Sequence, residues 1–176
     1  MRTIPDPGFA GDDGSPPDRL SAALSVYAQD PDGGYLPALA ALCSARLLVP
    51  VVTVPGEMPV SRTGRSDSGR AASASDRVEM AAVLMQRADG RKALLAFTST
   101  AALADWNADG RPVPVPSATA ALSAIQDGAD ALLVDLAGPV HFVVEGPDLT
   151  ALARGWSLVR LPDVVAGGWG WQTDVQ

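Results

Sequence analysis

The dipeptide Asp89-Gly90 restricts the fold of this chain more than any other short segment. It lies between two apolar runs, "RVEMAAVLMQ" and "KALLAFTS". A type I′ turn needs two residues that tolerate positive φ, and Asp-Gly meets that need. The segment therefore predicts two antiparallel strands joined by a tight turn, so the sheet is expected to contain at least one antiparallel pair.

Apolar periodicity predicts helices and further strands on both sides of this hairpin. The helices are expected at 18–30, about 36–45, 99–106, 118–126 and 146–154. The other strands are expected at 46–54, 112–115, 129–136 and 140–145. Asp18 and Ser117 are the expected N-caps of the first and fourth helices. Pro50 removes a backbone donor from the first strand, which indicates an edge position or a local break.

The resulting order is α, α, β, β, β, α, β, α, β, β, α. It predicts an α/β (α+β) fold, a single domain in which a mixed sheet containing the Asp89-Gly90 hairpin is flanked by helices. A length of 176 residues and 47% apolar residues suit one folded domain. We expect a flexible leader at 1–17, the domain at 18–161 with a flexible loop at 56–76, and a tail at 162–176 that contains Gly and Trp.

Net charge excludes two classes of partner. The chain carries a formal charge of -7, whereas nucleic acids and anionic membranes are bound through excess Lys and Arg. The most apolar window is interrupted by Pro37, Arg46 and Pro50, so no membrane span is expected. Cys43 is the only cysteine, which excludes an intramolecular disulfide and favours a reducing, cytoplasmic setting. No motif for a cofactor is present.

Three consecutive hydroxyl residues, Thr98, Ser99 and Thr100, follow the second strand of the hairpin. Either Thr98 or Ser99 is placed to cap the next helix by accepting a backbone hydrogen bond. The alternative is a catalytic Ser99 with His141 or, less directly, Lys92 as its base. Because the segment lacks the Gly-x-Ser-x-Gly pattern of a nucleophile elbow, capping is the favoured interpretation.

Strand ends that face helix starts are the expected location of any small ligand, because free N–H groups gather there. The candidate ligand surface is therefore Thr98, Ser99, Thr100, Ser117, Asp135 and Gly138, and the competing interpretation is that these residues form caps and turns without a ligand. A metal at His141 with Asp135 and Glu145 is disfavoured because two carboxylates and one histidine make a thin set. Cys43 is expected to be inert.

Two further segments carry open alternatives. The tail sequence "GGWGW" places Trp169 and Trp171 on a backbone that favours neither a helix nor a central strand, so these side chains either dock on their own domain or anchor a partner. The segment "GRSDSGR" at 64–70 lies in the expected flexible loop, where a tolerated insertion is favoured over an elbow or a phosphorylation segment.

The segments "RLLVPV", "DGRKALLAFTSTAALADW", "RPVPV" and "GADALLVDLAGP", in this order, resemble the SseB family, specifically its N-terminal domain of the actinobacterial type. The resemblance covers about residues 36–154. It implies a small α/β domain, a cytoplasmic location and no catalytic residue that carries over to this chain. The expected function is a non-enzymatic domain that acts through contacts with a protein partner, with Trp169 and Trp171 as anchors. The alternatives are a regulatory domain for a small anion or an amino-acid-related ligand, and a serine-dependent hydrolase or transferase.

Overall fold

The computed structural model describes Phe9 and residues 11–55, 78–162 and 168–173. The helices are α1 (Asp18–Gln29), α2 (Pro31–Cys43), α3 (Thr100–Trp106), α4 (Ser117–Gln126) and α5 (Gly146–Ala153). The strands are β1 (Arg46–Pro55), β2 (Val78–Ala82), β3 (Leu84–Gln86), β4 (Lys92–Ala96), β5 (Arg111–Pro116), β6 (Ala131–Val134), β7 (Phe142–Glu145), β8 (Ser157–Arg160) and β9 (Trp169–Gln172). Helices and mixed strand pairing occur together, which confirms the predicted α+β class.

Seven of these strands form two sheets that are joined by backbone hydrogen bonds. The first sheet has the order β2-β1-β5 and is antiparallel. The second has the order β3-β4-β6-β7, and only β4 and β6 run parallel in it. Leu48 in β1 and Phe97 after β4 exchange two backbone hydrogen bonds of 2.8 Å. The two sheets are therefore continuous at this contact.

In the described chain, four helices pack on one face of the sheets and α3 packs on the other. The larger core joins buried residues of α1, α2, α4 and α5 to those of β1, β4, β6 and β7. The opposite face holds a smaller cluster made of Leu48, Leu95, Phe97, Leu103 and Leu133. Leu103 belongs to α3, so the rest of this second face has no helix over it within the described residues.

The expected hairpin is present, but its turn is not type I′. β3 and β4 pair antiparallel, and Arg87 N–H donates to the Arg91 carbonyl at 2.9 Å. Gly90 N–H donates to the Arg87 carbonyl at 3.0 Å. Gly90 has a φ of +86°, whereas Asp89 is not in the positive-φ region. The loop thus has three residues and uses positive φ only at glycine, because a type I turn followed by a left-handed glycine also matches the strand twist.

Pro50 lies at a local break in strand pairing and not at an edge, since β1 is the central strand of its sheet. The Pro50 carbonyl accepts a hydrogen bond from Val83 N–H at 3.2 Å, and the Val83 carbonyl accepts one from Leu95 N–H at 3.1 Å. At this position, a residue other than proline would direct its N–H toward the Val83 carbonyl. That carbonyl already accepts from Leu95 N–H, so proline leaves no acceptor unpaired here. Val83 also divides the expected strand into β2 and β3.

The second helix begins at Pro31, five residues before the predicted start. Asp30 caps it by accepting a hydrogen bond from Gly33 N–H at 3.1 Å. Proline at the first helical position is favourable because its missing N–H needs no partner there. Gly34 allows a close approach of the two first helices, since a Cβ at this position would lie 2.5 Å from the Tyr27 Cα. Tertiary packing therefore stabilises a helix in the segment 31–35, whose sequence resembles a turn.

The predicted helix caps have different outcomes. Ser99 caps α3 as expected, because its Oγ accepts a hydrogen bond from Ala102 N–H at 3.1 Å. The prediction that Asp18 and Ser117 are N-caps is wrong, because each is the first helical residue and a proline occupies the N-cap position. The buried Ser117 hydroxyl instead donates to the Leu42 carbonyl at 2.6 Å. The Leu42 carbonyl at the end of α2, which also accepts from Ala45 N–H at 2.9 Å, is therefore the acceptor of this hydroxyl, and α4 receives no side-chain cap from Ser117.

Candidate functional site

The parallel strands β4 and β6 end side by side, at the edge where the sequence predicted a ligand surface. The Asp135 carboxylate accepts hydrogen bonds from the Thr98 backbone N–H at 2.8 Å and from the Thr98 hydroxyl at 2.7 Å. Asp135 is 8% exposed and has a φ of +55°, a region that Asp tolerates better than most residues. Burial raises the pKa of the Asp135 carboxyl, although both hydrogen bonds from Thr98 oppose this shift.

The other candidates at this edge are also engaged within the domain. Thr100 N–H donates to the Gly14 carbonyl at 2.9 Å, and Gly138 N–H donates to the Asp135 carbonyl at 2.9 Å. The two serines of the set make the internal contacts given above. None of the six residues lines either cavity described below. A ligand at this edge stays a prediction, and the internal hydrogen bonds argue against it.

The serine-dependent mechanism gains no geometric support. Ser99 is 7% exposed and its Oγ is used as the α3 cap. His141 is exposed and lines a groove on the uncovered sheet face, as does Lys92. Among the hydrogen bonds of the described residues, none joins Ser99 to either of these side chains.

Part of the N-terminal segment that the sequence analysis expects to be a flexible leader lies against the same edge. The Arg46 guanidinium donates to the Asp12 carboxylate at 2.8 Å, to the Ser15 carbonyl at 2.7 Å and to the Thr98 carbonyl at 2.9 Å. The Arg46 and Asp12 side chains are 9% and 17% exposed. A partly buried guanidinium with several acceptors is a stronger tether than a surface ion pair.

The uncovered face of the second sheet contains a groove of about 360 Å³, which is the best candidate site of the described chain. Its floor is made of apolar side chains from four neighbouring strands and the segment after β6, namely Met85, Ala93, Ala131, Leu133, Leu136 and Val143. Most of these side chains are half-buried in the domain. A concave apolar surface with a few polar groups at its border is typical of a binding site.

The polar border of this groove carries charges of both signs. Arg87, Arg91 and Lys92 contribute three cations, and Glu145 contributes one carboxylate. Arg91 reaches across the strands to Glu145, with an Nη2 to Oε2 distance of 2.6 Å, although about half of each side chain remains exposed. Arg87 and Asp89 are 4.0 Å apart and more exposed. Asp89 and Asp130 also lie close enough to Arg91 to act on its charge, so cations and carboxylates balance at this end of the groove.

Sequence reasoning missed the groove because its residues are uninformative one by one. The run "ALLV" of β6 is apolar throughout, and its pattern does not tell which side chains a helix covers. The available signal was the cluster "RADGRK" at the hairpin, where Arg87, Arg91 and Lys92 occur within six residues. That cluster was interpreted only as a turn.

No group of three or more His, Cys, Asp and Glu side chains in the described part of the chain could hold a metal ion. Within the same residues, no helix has the length and apolar character needed to cross a membrane.

The C-terminal tryptophans dock on their own domain. β9 pairs antiparallel with β8, and both Trp169 and Trp171 are half-buried against the larger core. Trp171 Nε1–H donates to one oxygen of Asp148 at 3.3 Å, while the Tyr35 hydroxyl donates to the other oxygen at 3.0 Å. Burial, together with the Asp148 charge, raises the pKa of Tyr35. This outcome was one of the two alternatives for the tail, and the structure adds two strands, β8 and β9, that the sequence analysis did not predict.

Cys43 is half-buried and lines a second cavity, of about 500 Å³, between α1, α2 and the β8–β9 hairpin. Burial raises the pKa of the Cys43 thiol, so the reactive thiolate is disfavoured, in agreement with the expectation of an inert cysteine. The segment 64–70 lies outside the described residues.

Comparison with known proteins places the chain in a family. A model of the SseB protein N-terminal domain matches residues 20–151. The chain belongs to the SseB family. The matched range runs from α1 to α5 and contains both sheets, the groove and the Thr98–Asp135 contact, whereas β8 and β9 follow it. No curated protein and no solved structure matches the chain significantly. The family match supplies a fold but no reaction.

Proposed function

We propose that this SseB-family domain is a non-enzymatic interaction module whose docking surface is the groove on the uncovered sheet face. The observation that carries the proposal is the groove itself, which combines an apolar floor with a charged border. Contiguous apolar surface bordered by polar residues is a common mark of a protein-binding site. The groove replaces Trp169 and Trp171 as the expected contact surface, since both side chains already pack against the domain's own core.

The lining chemistry favours docking over catalysis. The groove residues include no serine, threonine or cysteine that could act as a nucleophile. His141 and Glu145 line the groove, and the Glu145 carboxylate is paired with Arg91 at 2.6 Å. We also propose a cytoplasmic location, because the single Cys43 cannot form an intramolecular disulfide and thus shows no adaptation to an oxidising compartment.

Site-specific photo-cross-linking tests the docking surface. A benzophenone amino acid is placed at position 143, in the groove, or at position 125, which is exposed on α4 outside it. After irradiation in living cells, we expect a discrete cross-linked protein from position 143 that is absent from position 125. A probe at position 136, also in the groove, should capture the same protein. Loss of that capture in a Val143→Asp chain would add support.

Contrary results are equally defined. If position 143 gives the same products as position 125, the groove is not the docking surface. If a probe at position 169 or 171 gives the discrete product instead, the tryptophan tail is the contact after all. Circular dichroism of each variant confirms that its fold is intact before the products are compared.

A further inference from the structure

Residues 11–17, here called the N-terminal arm, lie on the edge where the two parallel strands end. We propose that this edge is a binding site for a partner segment with an Asp-x-Gly turn, and that the arm fills the site as an internal ligand. The partner's aspartate would replace Asp12 on the Arg46 guanidinium. Arg46 lies within the range that matches the family model, whereas the arm precedes that range. This site is separate from the groove and does not depend on the function proposed for it.

The contact between Arg46 and Asp12 is the first argument, because both carboxylate oxygens are bound. Arg46 Nη2 donates to Asp12 Oδ1 at 2.8 Å, and Arg46 Nε faces Oδ2. Two parallel bonds of this kind recognise the shape of a carboxylate as well as its charge. Within the described residues, Asp12 is the only carboxylate in ion-pair contact with Arg46. The guanidinium is thus complementary to one carboxylate, and the arm supplies it.

The backbone of the arm is also recognised, which is the second argument. Arg46 Nη2 donates to the Ser15 carbonyl at 2.7 Å, and Thr100 N–H donates to the Gly14 carbonyl at 2.9 Å. Gly14 has a φ of +77°, and a Cβ at this position would lie 2.5 Å from Thr100 Cγ2. Only glycine fits both the conformation and the space. The site therefore selects a carboxylate, a glycine two residues later and two consecutive carbonyls.

The arm is held mainly by these polar contacts, so it can leave without unfolding the domain. Neither core cluster of the described chain includes a residue of the arm, and Gly14 is the only buried residue in it. Segments with few apolar contacts open locally at a much lower free energy than global unfolding requires. Opening would leave the Thr98 carbonyl as the remaining acceptor of the Arg46 guanidinium. A charge that has lost its partners favours the capture of a replacement carboxylate.

A ¹H–¹⁵N NMR titration of the full chain with a synthetic peptide tests the site. The peptide is the arm sequence of residues 9–17, "FAGDDGSPP". The Thr100 N–H and Arg46 Nε–H signals report binding, because both groups contact the arm. Circular dichroism first confirms that each variant of the chain is folded.

Variants of the arm should open the site to the peptide. Asp12→Ala removes the internal carboxylate, and we expect the Kd for the peptide to fall roughly 10-fold or more, the equivalent of one lost hydrogen bond between charged groups. Gly14→Ala keeps every charge of the arm and should act in the same direction. Asp13→Asn is the matched control, since Asp13 accepts a hydrogen bond from Ser15 N–H within the arm at 2.9 Å and none from Arg46. Its Kd should stay close to that of the wild type.

Binding should also depend on the Arg46 contact itself. A peptide with asparagine in place of its first aspartate should bind less tightly, and Arg46→Lys should weaken binding because lysine cannot form two parallel bonds. Equal Kd values for the wild-type and Asp12→Ala chains would overturn the inference, as would equal binding of the asparagine peptide. An absence of shifts in all folded variants would do the same. If the peptide shifts the Leu133 and Val143 signals instead, it binds the groove, and the site at the arm is refuted.

Discussion

Asp135 offers the sharpest test of whether the β4–β6 edge is structural. In Asp135→Ala, the buried Thr98 N–H and hydroxyl lose their acceptor, and an alanine occupies a φ of +55°. An unsatisfied buried donor costs about 1–3 kcal/mol, and the left-handed conformation costs an ordinary residue about 1 kcal/mol. We therefore expect a loss of roughly 2–4 kcal/mol in the free energy of unfolding, a large part of the about 5–15 kcal/mol typical of a domain.

Asp135→Asn separates hydrogen bonding from charge. The amide keeps an acceptor for Thr98 N–H, tolerates positive φ and removes the buried charge. Because burial raises the pKa of Asp135 above its usual value of 3.8, its contribution to stability is complete at low pH and is lost as the pH rises through the raised pKa. The free energy of unfolding of Asp135→Asn, relative to that of the wild type, should thus be more favourable at pH 7 than at pH 3.5.

Urea denaturation followed by tryptophan fluorescence, at both pH values, measures these differences. A loss below about 1 kcal/mol in Asp135→Ala would refute the role of Thr98 as a buried donor that needs this acceptor. Equal destabilisation by Asn and Ala at pH 7 would show that the negative charge is required. That second result would revive the interpretation of this edge as a ligand surface, and thermal shifts with phosphate would then be the next measurement.

Three further predictions concern contacts elsewhere in the domain. Gly34→Ala should lower the free energy of unfolding by about 1–3 kcal/mol, because its Cβ would overlap Tyr27; unchanged urea denaturation would contradict the close helix approach. Ser117→Ala should cost about 0.5–1.5 kcal/mol by removing the hydroxyl that donates to the Leu42 carbonyl, and an unchanged urea denaturation midpoint would contradict this contribution. Cys43 should react with a disulfide reagent at pH 8 more slowly than glutathione, since burial raises the pKa of its thiol, and a faster reaction would refute its inertness.

Much of the fold was determined by interactions between residues close in sequence. The hairpin at Asp89-Gly90, the α3 cap at Ser99 and the glycines that follow α4 and α5 all act within a few residues. Gly128 and Gly155 have φ values of +71° and +72°, as expected of glycines that end helices. Net charge likewise led to the expectation that no nucleic acid or anionic membrane is bound, and that expectation stays a prediction. These features were predictable because each depends on local backbone geometry or on composition alone.

Only the tertiary structure decided how the polar side chains are used and which surface remains open. Thr98 forms a hydrogen bond with Asp135, which lies 37 residues away in sequence, and Ser117 forms one with Leu42, which lies 75 residues away. No local rule selects such a partner. Trp171 becomes part of a strand because β8 and Asp148 lie beside it. The groove exists because four helices pack on one sheet face and α3 covers only part of the other. A hydroxyl bonds whichever acceptor comes within about 3 Å, and that distance is set by the packing of segments far apart in sequence.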